Sequence, residues 1–187
     1  MSLPLIDLKR LRAVCAVHAL GSTVQAAVAL RVAQSSVTRA VVDLESRLGQ
    51  TLFHRTGRGM QPTPQAAALL ERAGRALSCL AVLGGPEGRT GVHGLSWLLS
   101  RFAMGLSQRQ MQVLQALAVQ ASLPGAATEL GVGTSAVHQS LGQIEHLAGG
   151  ALFVRSRRGL RLTELGELAL RAVKLAQAEL AQAEQEL

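Results

Sequence analysis

The amino-acid sequence predicts a mainly α-helical protein in which one folding unit occurs twice. Shifting the sequence against itself by one hundred positions, without a gap, aligns "LFHRTGRGMQPT" at 52–63 with "LFVRSRRGLRLT" at 152–163. The same shift aligns Glu45 with Glu145, and many of the apolar residues around them also coincide. Upstream of both segments, apolar residues recur with the 3.6-residue period of amphipathic helices. A match of this length is typical of a structural unit used twice in tandem.

Length and composition limit the classes of protein that the chain can form. It has 187 residues, of which 48% are hydrophobic. We expect modules at 1–83 and 106–187, joined by a flexible linker at 84–105 that contains "GGPEGRTGVHG". No apolar run reaches the roughly 20 residues of a membrane span, and the N-terminus resembles no export signal, so we expect no membrane partner. Cys15 and Cys79 lack metal-ligand spacing, which predicts core thiols in a reducing cytoplasm.

The first module is predicted to contain three helices, a two-stranded hairpin and a long fourth helix. Gly21 ends the first helix, and Ser22 is the predicted N-cap of the second. The third helix turns Val37 and Val41 inward, and the fourth begins at the Thr63-Pro64 pair. The predicted helices span 8–20, 23–31, 34–48 and 64–83.

The second module repeats this order. Ser107 and Gln110 predict a capping box before its first helix, and Thr134 is the predicted N-cap of its third. The final helix, at 164–186, has more apolar surface than one small module can cover. We therefore expect a second helix to pack against it.

Three helices followed by a two-stranded wing form a winged helix-turn-helix. In this arrangement the third helix enters the major groove of DNA, and wing arginines reach the flanking phosphates or the minor groove. The candidate DNA-binding residues of the first module are Gln34, Ser35, Ser36, Thr38, Arg39, Arg55 and Arg58. Those of the second module are Thr134, Ser135, His138, Gln139, Arg155, Arg157 and Arg158. The serines at the start of the first recognition helix also fit an ordinary helix start.

Basic residues are unevenly distributed within the formal net charge of +7. Residues 1–83 contain ten basic and four acidic side chains, whereas residues 106–187 contain seven of each. Four arginines nevertheless lie between residues 155 and 161. Such clustering favours a polyanionic partner, although arginines that merely solvate the surface would give the same count.

Two of these assignments have structural alternatives. Arg55 and Arg155 either contact DNA or fix each wing to its core through Glu45 and Glu145. His138 either reads a base or is an exposed side chain without a role. The sequence alone leaves both pairs of interpretations open.

At these residues the sequence resembles the N-terminal DNA-binding domain of LysR-type transcriptional regulators. The stretch "GSTVQAAVALRVAQSSVTRAVVDLESRLGQTLFHRTGRG" at 21–59 is similar to that family's Gly-Ser, paired alanines, Gln-Ser, Leu-Glu, Leu-Gly and Leu-Phe-x-Arg. The resemblance covers residues 8–82 and, more loosely, 106–186. It implies that the recognition-helix residues face base pairs, that Arg55 and Arg58 serve the wing, and that the helix after the wing mediates dimerisation. A second module stands where the family has its effector-sensing domain, so we expect no small-molecule ligand.

We therefore predict a sequence-specific DNA-binding regulator, without a cofactor, in the bacterial cytoplasm at the nucleoid. The sequence contains no recognisable nucleophile, general-base pair or phosphate loop, so we do not expect an enzyme. The helices at 64–83 and 164–186 pair either within one chain, as a pseudo-dimer, or between two chains of a homodimer. The alternative function is a protein-interaction module that pairs with other regulators instead of binding DNA.

Overall fold

The computed structural model describes residues 7–57, 59–84 and 95–185, and it is mainly helical with two similar modules. Module one contains α1 (Leu8–Leu20), α2 (Thr23–Leu30), α3 (Gln34–Leu48), β1 (Phe53–Thr56), β2 (Gly59–Pro62) and α4 (Pro64–Leu80). Module two contains α6 (Gln108–Gln120), α7 (Leu123–Leu130), α8 (Thr134–Ala148), β3 (Phe153–Ser156), β4 (Gly159–Leu162) and α9 (Glu164–Gln185). A single-turn 3₁₀ helix (Ser96–Leu99) and the short α5 (Arg101–Gly105) lie between the modules. The predicted mainly α fold with two winged helix-turn-helix modules is confirmed.

The helices of module one begin and end where local signals place them. The Ser22 hydroxyl accepts a hydrogen bond from the Gln25 amide and caps α2, and Thr63 caps α4 through the Ala66 amide. Gly21 follows α1 in the left-handed conformation, with φ of 63°. The helix predicted to reach residue 83 ends at Leu80.

The core of module one forms where the three short helices meet. The paired alanines of α2, Ala26 and Ala27, are buried, and their small side chains allow α1 and α3 to approach closely. Val37, Val41 and Leu44 form the buried stripe of α3, as the helical period predicts.

Each wing is an antiparallel hairpin attached to the helices by backbone hydrogen bonds. In the first hairpin Thr56 is opposite Gly59, and in the second Ser156 is opposite Gly159. The Met60 amide donates to the Gly21 carbonyl over 2.8 Å. In module two the corresponding bond runs from the Leu160 amide to the Ala121 carbonyl over 2.7 Å. The same contact therefore fixes both wings to the junction that precedes the second helix of their module.

Module two repeats these features, and one of the two caps predicted for it is present. The predicted capping box is present, because Ser107 accepts from the Gln110 amide and the Gln110 side chain accepts from the Ser107 amide. Thr134, however, is the first residue of α8 and not its N-cap, so that prediction is wrong. Gly133 occupies the cap position, where no side chain can accept a hydrogen bond.

The prediction of a flexible linker at 84–105 is wrong for residues 95–105. Trp97 and Phe102 are completely buried there and are among the largest buried side chains of the protein. The Ser100 hydroxyl donates to the Leu83 carbonyl and also caps α5. Burial of two aromatic rings offsets the entropy lost by ordering this segment. Residues 85–94, which include most of the glycines in this stretch, lie outside the described residues.

The two modules contact each other along α4 and α9. The buried faces of these helices are rich in alanine, which permits close approach: Ala66, Leu69, Ala73, Ala76 and Leu80 on α4, and Ala169, Ala172, Val173, Ala176, Leu180 and Ala183 on α9. Glu179 of α9 forms ion pairs with Arg72 and Arg75 of α4, with N–O distances of 3.3 and 3.1 Å. Buried side chains consequently form one continuous cluster through both modules.

Arg12 of α1 forms a second contact between the modules. Its Nε donates to the Ala103 carbonyl over 2.8 Å, and an Nη donates to the Leu106 carbonyl over 2.5 Å. These oxygens belong to the C-terminal end of α5, which attracts cations. Burial lowers the pKa of Arg12 to about 10, so the side chain stays charged at neutral pH.

Among the described helices, none is long and apolar enough to cross a lipid bilayer.

Candidate nucleic-acid interface

The recognition helices, α3 and α8, each bury one side and expose the other. In α3, Val37 is buried between exposed neighbours, which are Gln34, Ser35, Ser36, Thr38 and Arg39. In α8, Val137 is buried in the same way, and its exposed neighbours are Thr134, Ser135, Ala136, His138 and Gln139. Every predicted recognition-helix residue therefore lies on the solvent-exposed side of its helix, where a DNA groove could be contacted.

The N-termini of the recognition helices have no side-chain cap. Each of the other seven described α-helices begins with a side-chain oxygen that accepts from a first-turn amide; these come from Asp7, Ser22, Thr63, Ser100, Ser107, Ser122 and Thr163. Ala33 and Gly133 precede α3 and α8 and offer no such oxygen. The Ser36 and Ala136 amides donate to the Ala33 and Gly133 carbonyls over 3.0 Å. The first two amides of each helix have no acceptor among the described residues, so they stay available to an external acceptor such as a phosphate oxygen.

Arg39 projects from α3 without a carboxylate partner among the described residues. Asp43, one turn further along the helix, accepts a hydrogen bond from Arg10 of α1 over 3.4 Å. Arg10 also pairs with Asp7. Asp43 and Asp7 are therefore engaged by a different arginine, which leaves the Arg39 guanidinium available for a ligand.

Gln34 has a weaker internal contact. Its amide nitrogen donates to the Thr23 hydroxyl at the start of α2, over 3.3 Å. This bond orients the side chain across the turn between the two helices, while Gln34 itself remains exposed. The amide oxygen has no partner among the described atoms and can accept from a donor on a base edge.

The wing arginines are exposed, and the carboxylates that were candidates to fix them bind backbone amides. Glu45 accepts from the Leu52 amide over 2.7 Å, and Glu145 accepts from the Leu152 amide over 2.8 Å. Neither Arg55 nor Arg155 takes part in an ion pair within the described part of the chain. The two glutamates hold the start of each wing by hydrogen bonds to the main chain, without the arginines.

The second wing carries a cluster of positive charge. Arg157 and Arg158 are exposed at the turn of the hairpin, and Arg161 lies on β4 beside them. With Ser156 they border one surface recess of about 470 Å³. Like charges this close repel each other, and a phosphate backbone would relieve that repulsion. Arg58, predicted for the first wing, lies outside the described residues.

In module two a second recess, of about 450 Å³, separates the recognition helix from the wing. His138 of α8 and Arg155 of β3 line it from opposite elements, together with Glu145. The fold thus brings together one predicted residue of the recognition helix and one predicted residue of the wing.

Two features of this surface are absent from the sequence-based predictions of site residues. Arg161 was part of the charge count but was not assigned to the interface, although β4 places it beside Arg157 and Arg158. The uncapped N-termini were also missed. The signal that could have found them is the pair Ala33 and Gly133, because neither residue has a side-chain acceptor.

In both modules an exposed third helix is followed by a wing and is bound to it by a glutamate side chain. This arrangement defines a DNA-binding protein of the winged helix-turn-helix class. The family model described as "Bacterial regulatory helix-turn-helix protein, lysR family" matches the chain twice, at residues 8–67 and 108–167. The chain therefore belongs to the LysR family of bacterial regulatory helix-turn-helix proteins, which are DNA-binding regulators of transcription. The resemblance inferred from the sequence is confirmed for both modules.

Curated relatives carry regulatory names. The HTH-type transcriptional regulator GalR of Pseudomonas putida is 35% identical over 158 residues, covering 84% of this chain and 38% of the relative. The uncharacterized HTH-type transcriptional regulator YeiE of Escherichia coli K12 is 43% identical over 75 residues, covering 36% of this chain and 26% of the relative. The small neutral protease regulatory protein of Streptomyces coelicolor is 38% identical over 76 residues, covering 41% and 24% respectively. No solved structure matches the chain.

The extent of these matches is informative. The match to GalR covers 158 of the 187 residues of this chain, which is too much of the chain for it to leave out either α3 or α8. The chain spans between 24% and 38% of the length of these three relatives.

Proposed function

We propose that both modules bind double-stranded DNA, with α3 and α8 in the major groove and the wings on the phosphate backbone. The observation that carries this proposal is the pair of bare recognition-helix N-termini, since the other seven described α-helices are capped by their own side chains. A helix start that lacks a side-chain cap and carries small, exposed hydroxyl side chains accommodates a closely approaching phosphate. The arginines around it supply the charge, and the chemistry is binding without catalysis.

The two modules act together in this proposal. The pairing of α4 with α9 in one chain places two DNA-binding units on one rigid body, a covalent pseudo-dimer. Its support is the buried alanine-rich contact and the ion pairs of Glu179 with Arg72 and Arg75. Light scattering of the purified protein tests it. We expect the mass of one chain, whereas a dimeric mass would show that the linker helices pair between chains.

A salt titration tests the DNA contacts of each wing separately. DNA binding releases counterions, so the logarithm of the affinity falls against the logarithm of salt concentration by about 0.9 for each phosphate contact. Arg55→Ala and Arg155→Ala should each reduce that slope by about one unit and weaken binding to all duplexes. Arg171→Ala, at an exposed position on α9, is the matched control and should leave the slope unchanged.

The outcomes separate the two modules and the two functional hypotheses. An effect of Arg55→Ala without an effect of Arg155→Ala would restrict DNA binding to module one. Failure of the unaltered protein to enrich any sequence from random duplexes would favour the protein-interaction module. A regulator that binds chromosomal DNA acts in the bacterial cytoplasm, so we extend the proposal to that location and to the nucleoid.

A further inference from the structure

We infer that the DNA target of this protein is a two-part site whose halves differ in sequence and are read at one fixed spacing. This inference rests on the proposed function. It concerns which duplex is bound, and three independent observations support it: the outer faces of the recognition helices, the pairing of α4 with α9, and the contact of Arg12 with α5.

The first observation is that the two recognition helices present different chemistry at equivalent positions. Thr38 and Arg39 of α3 correspond to His138 and Gln139 of α8, and all four side chains are exposed. A guanidinium suits the two acceptors on the major-groove edge of guanine, whereas a carboxamide suits the donor and acceptor of adenine. Ser35 and Ser135 are identical and serve both helices alike. Gln34 and Ser36 also differ from their equivalents, Thr134 and Ala136. The halves of the site are therefore distinguished at the base pairs that face these helices, including those that face residues 38, 39, 138 and 139.

The second observation is that ion pairs connect α4 to α9 through residues that differ between the two helices. Glu179 of α9 pairs with Arg72 and Arg75 of α4. The position equivalent to Glu179 in α4 is occupied by Cys79, so two copies of α4 would bring arginines together without an acid at that position. The positions equivalent to the arginines in α9 are Ala172 and Leu175.

Contacts between two α4 helices, or between two α9 helices, would lack these ion pairs. The ion pairs therefore favour a pair that contains one module of each kind. A palindromic site, which suits two identical modules related by symmetry, does not suit this protein.

The third observation is that the position of one module relative to the other is fixed at two separate places. Besides the α4 and α9 contact, Arg12 of α1 binds the carbonyl oxygens of Ala103 and Leu106. α5 in turn packs against α8, the second recognition helix. Each recognition helix is thus connected to the other through packed elements, which sets the distance between the two half-sites.

Selection from random duplexes with the full chain yields the two half-sites, here A and B, and their spacing. Affinities are then measured for four duplexes: A–B at the selected spacing, A–A, B–B, and A–B lengthened by five base pairs. The added five base pairs place the second half-site about half a helical turn away. We expect A–B to bind about tenfold or more tightly than each of the other three.

A substitution pair then assigns the difference to the residues named. Thr38→His with Arg39→Gln gives module one the residues of module two at these two positions, and both positions are exposed, so folding is unaffected. The variant should prefer B–B over A–B. Arg47→Gln, an exposed change in the last turn of α3, is the control and should keep the preference for A–B.

The results distinguish failure of this inference from failure of the proposed function. Enrichment of a palindrome or of a single half-site would overturn the inference and leave DNA binding intact. Equal affinity for the lengthened A–B duplex would overturn the fixed spacing. A double variant that still prefers A–B would overturn the assignment to residues 38 and 39. The absence of any enriched duplex would instead contradict the proposed function.

Discussion

Modules one and two share their internal contacts and differ in their exposed residues. In both, a glutamate on the recognition helix accepts from the Leu amide that starts the wing, and a wing glycine lies against a main-chain carbonyl. At the exposed positions that we propose to face DNA, Arg39 is replaced by Gln139. The fold therefore limits which residues can occupy the buried positions and the positions that bind the main chain. It does not limit the residues on the exposed faces of α3 and α8 in the same way.

Two backbone positions in each module, 21 and 31 in the first and 121 and 131 in the second, adopt the left-handed conformation whichever residue occupies them. Gly21 and Gly131 have positive φ, but their equivalents in the other module are Ala121, with φ of 51°, and Arg31, with φ of 56°. The left-handed conformation costs a residue with a Cβ about 1 kcal/mol. Each module therefore tolerates that strain at one of its two turns, because the surrounding contacts fix the backbone whichever residue is present.

The largest effect expected from a change at equivalent positions is at the wing glycines. Gly59 and Gly159 have φ of 107° and 108°, and a Cβ there would overlap the carbonyl oxygen of Gly21 or Ala121. Gly59→Ala and Gly159→Ala should each lower the free energy of unfolding by about 3 kcal/mol, since strain and overlap add. Urea titration followed by circular dichroism measures this.

The matched control is Gly131→Ala. Gly131 also has positive φ, but no atom lies within 4 Å of the added Cβ. We expect a loss of only about 1 kcal/mol from the backbone conformation. Similar losses at Gly131 and Gly159 would show that the contact between wing and carbonyl does not restrict the fold.

A smaller loss of stability is expected at Arg12, because in the described part of the chain only module one makes a side-chain contact with α5 at this position. Arg12→Met removes the donors to the Ala103 and Leu106 carbonyls and should lower the free energy of unfolding by about 2 kcal/mol, because buried acceptors lose their partners. Gln112→Met changes the equivalent residue of module two, which makes no such contact among the described residues. Its effect should stay within about 0.5 kcal/mol. Equal losses in the two variants would contradict a specific contact between modules at Arg12.

The smallest expected effect is on the pH dependence of the free energy of unfolding. It arises from a histidine that only module one contains at this position. Burial lowers the pKa of His18, and the nearby Glu71 carboxylate opposes this shift only in part. The unfolded chain therefore binds the proton more readily, so stability is lost as the pH falls below about 6.5, the ordinary histidine pKa, towards the folded-state value. Module two has Ala118 at this position.

His18→Ala should consequently reduce the loss of stability on acidification. The measurement is the free energy of unfolding at about pH 7 and about pH 5, compared with the unaltered protein. His146→Ala, at an exposed position of α8, serves as the control. If His18→Ala leaves the pH dependence unchanged, another group is responsible for it.

Much of the fold could be predicted because its signals are local. The helical period placed Val37 and Val41 in the core, and the Thr63-Pro64 pair marked the start of α4. For the candidate site, the exposure of the recognition-helix residues was predicted correctly. Their roles in DNA binding stay predictions. The segment at 95–105 could not be predicted, because its order depends on the burial of Trp97 and Phe102 by distant helices.

The sequence by itself determined the repeat, the order of helices and wings, and the side of each recognition helix that faces solvent. These follow from periodicity and from hydrogen bonds between residues a few positions apart. Only the tertiary structure decided that Arg12 binds the end of α5 and that Glu179 pairs with Arg72 and Arg75. Each of these contacts joins residues about ninety or more positions apart, so no local pattern records it. The packing of two complete modules brings the partners together.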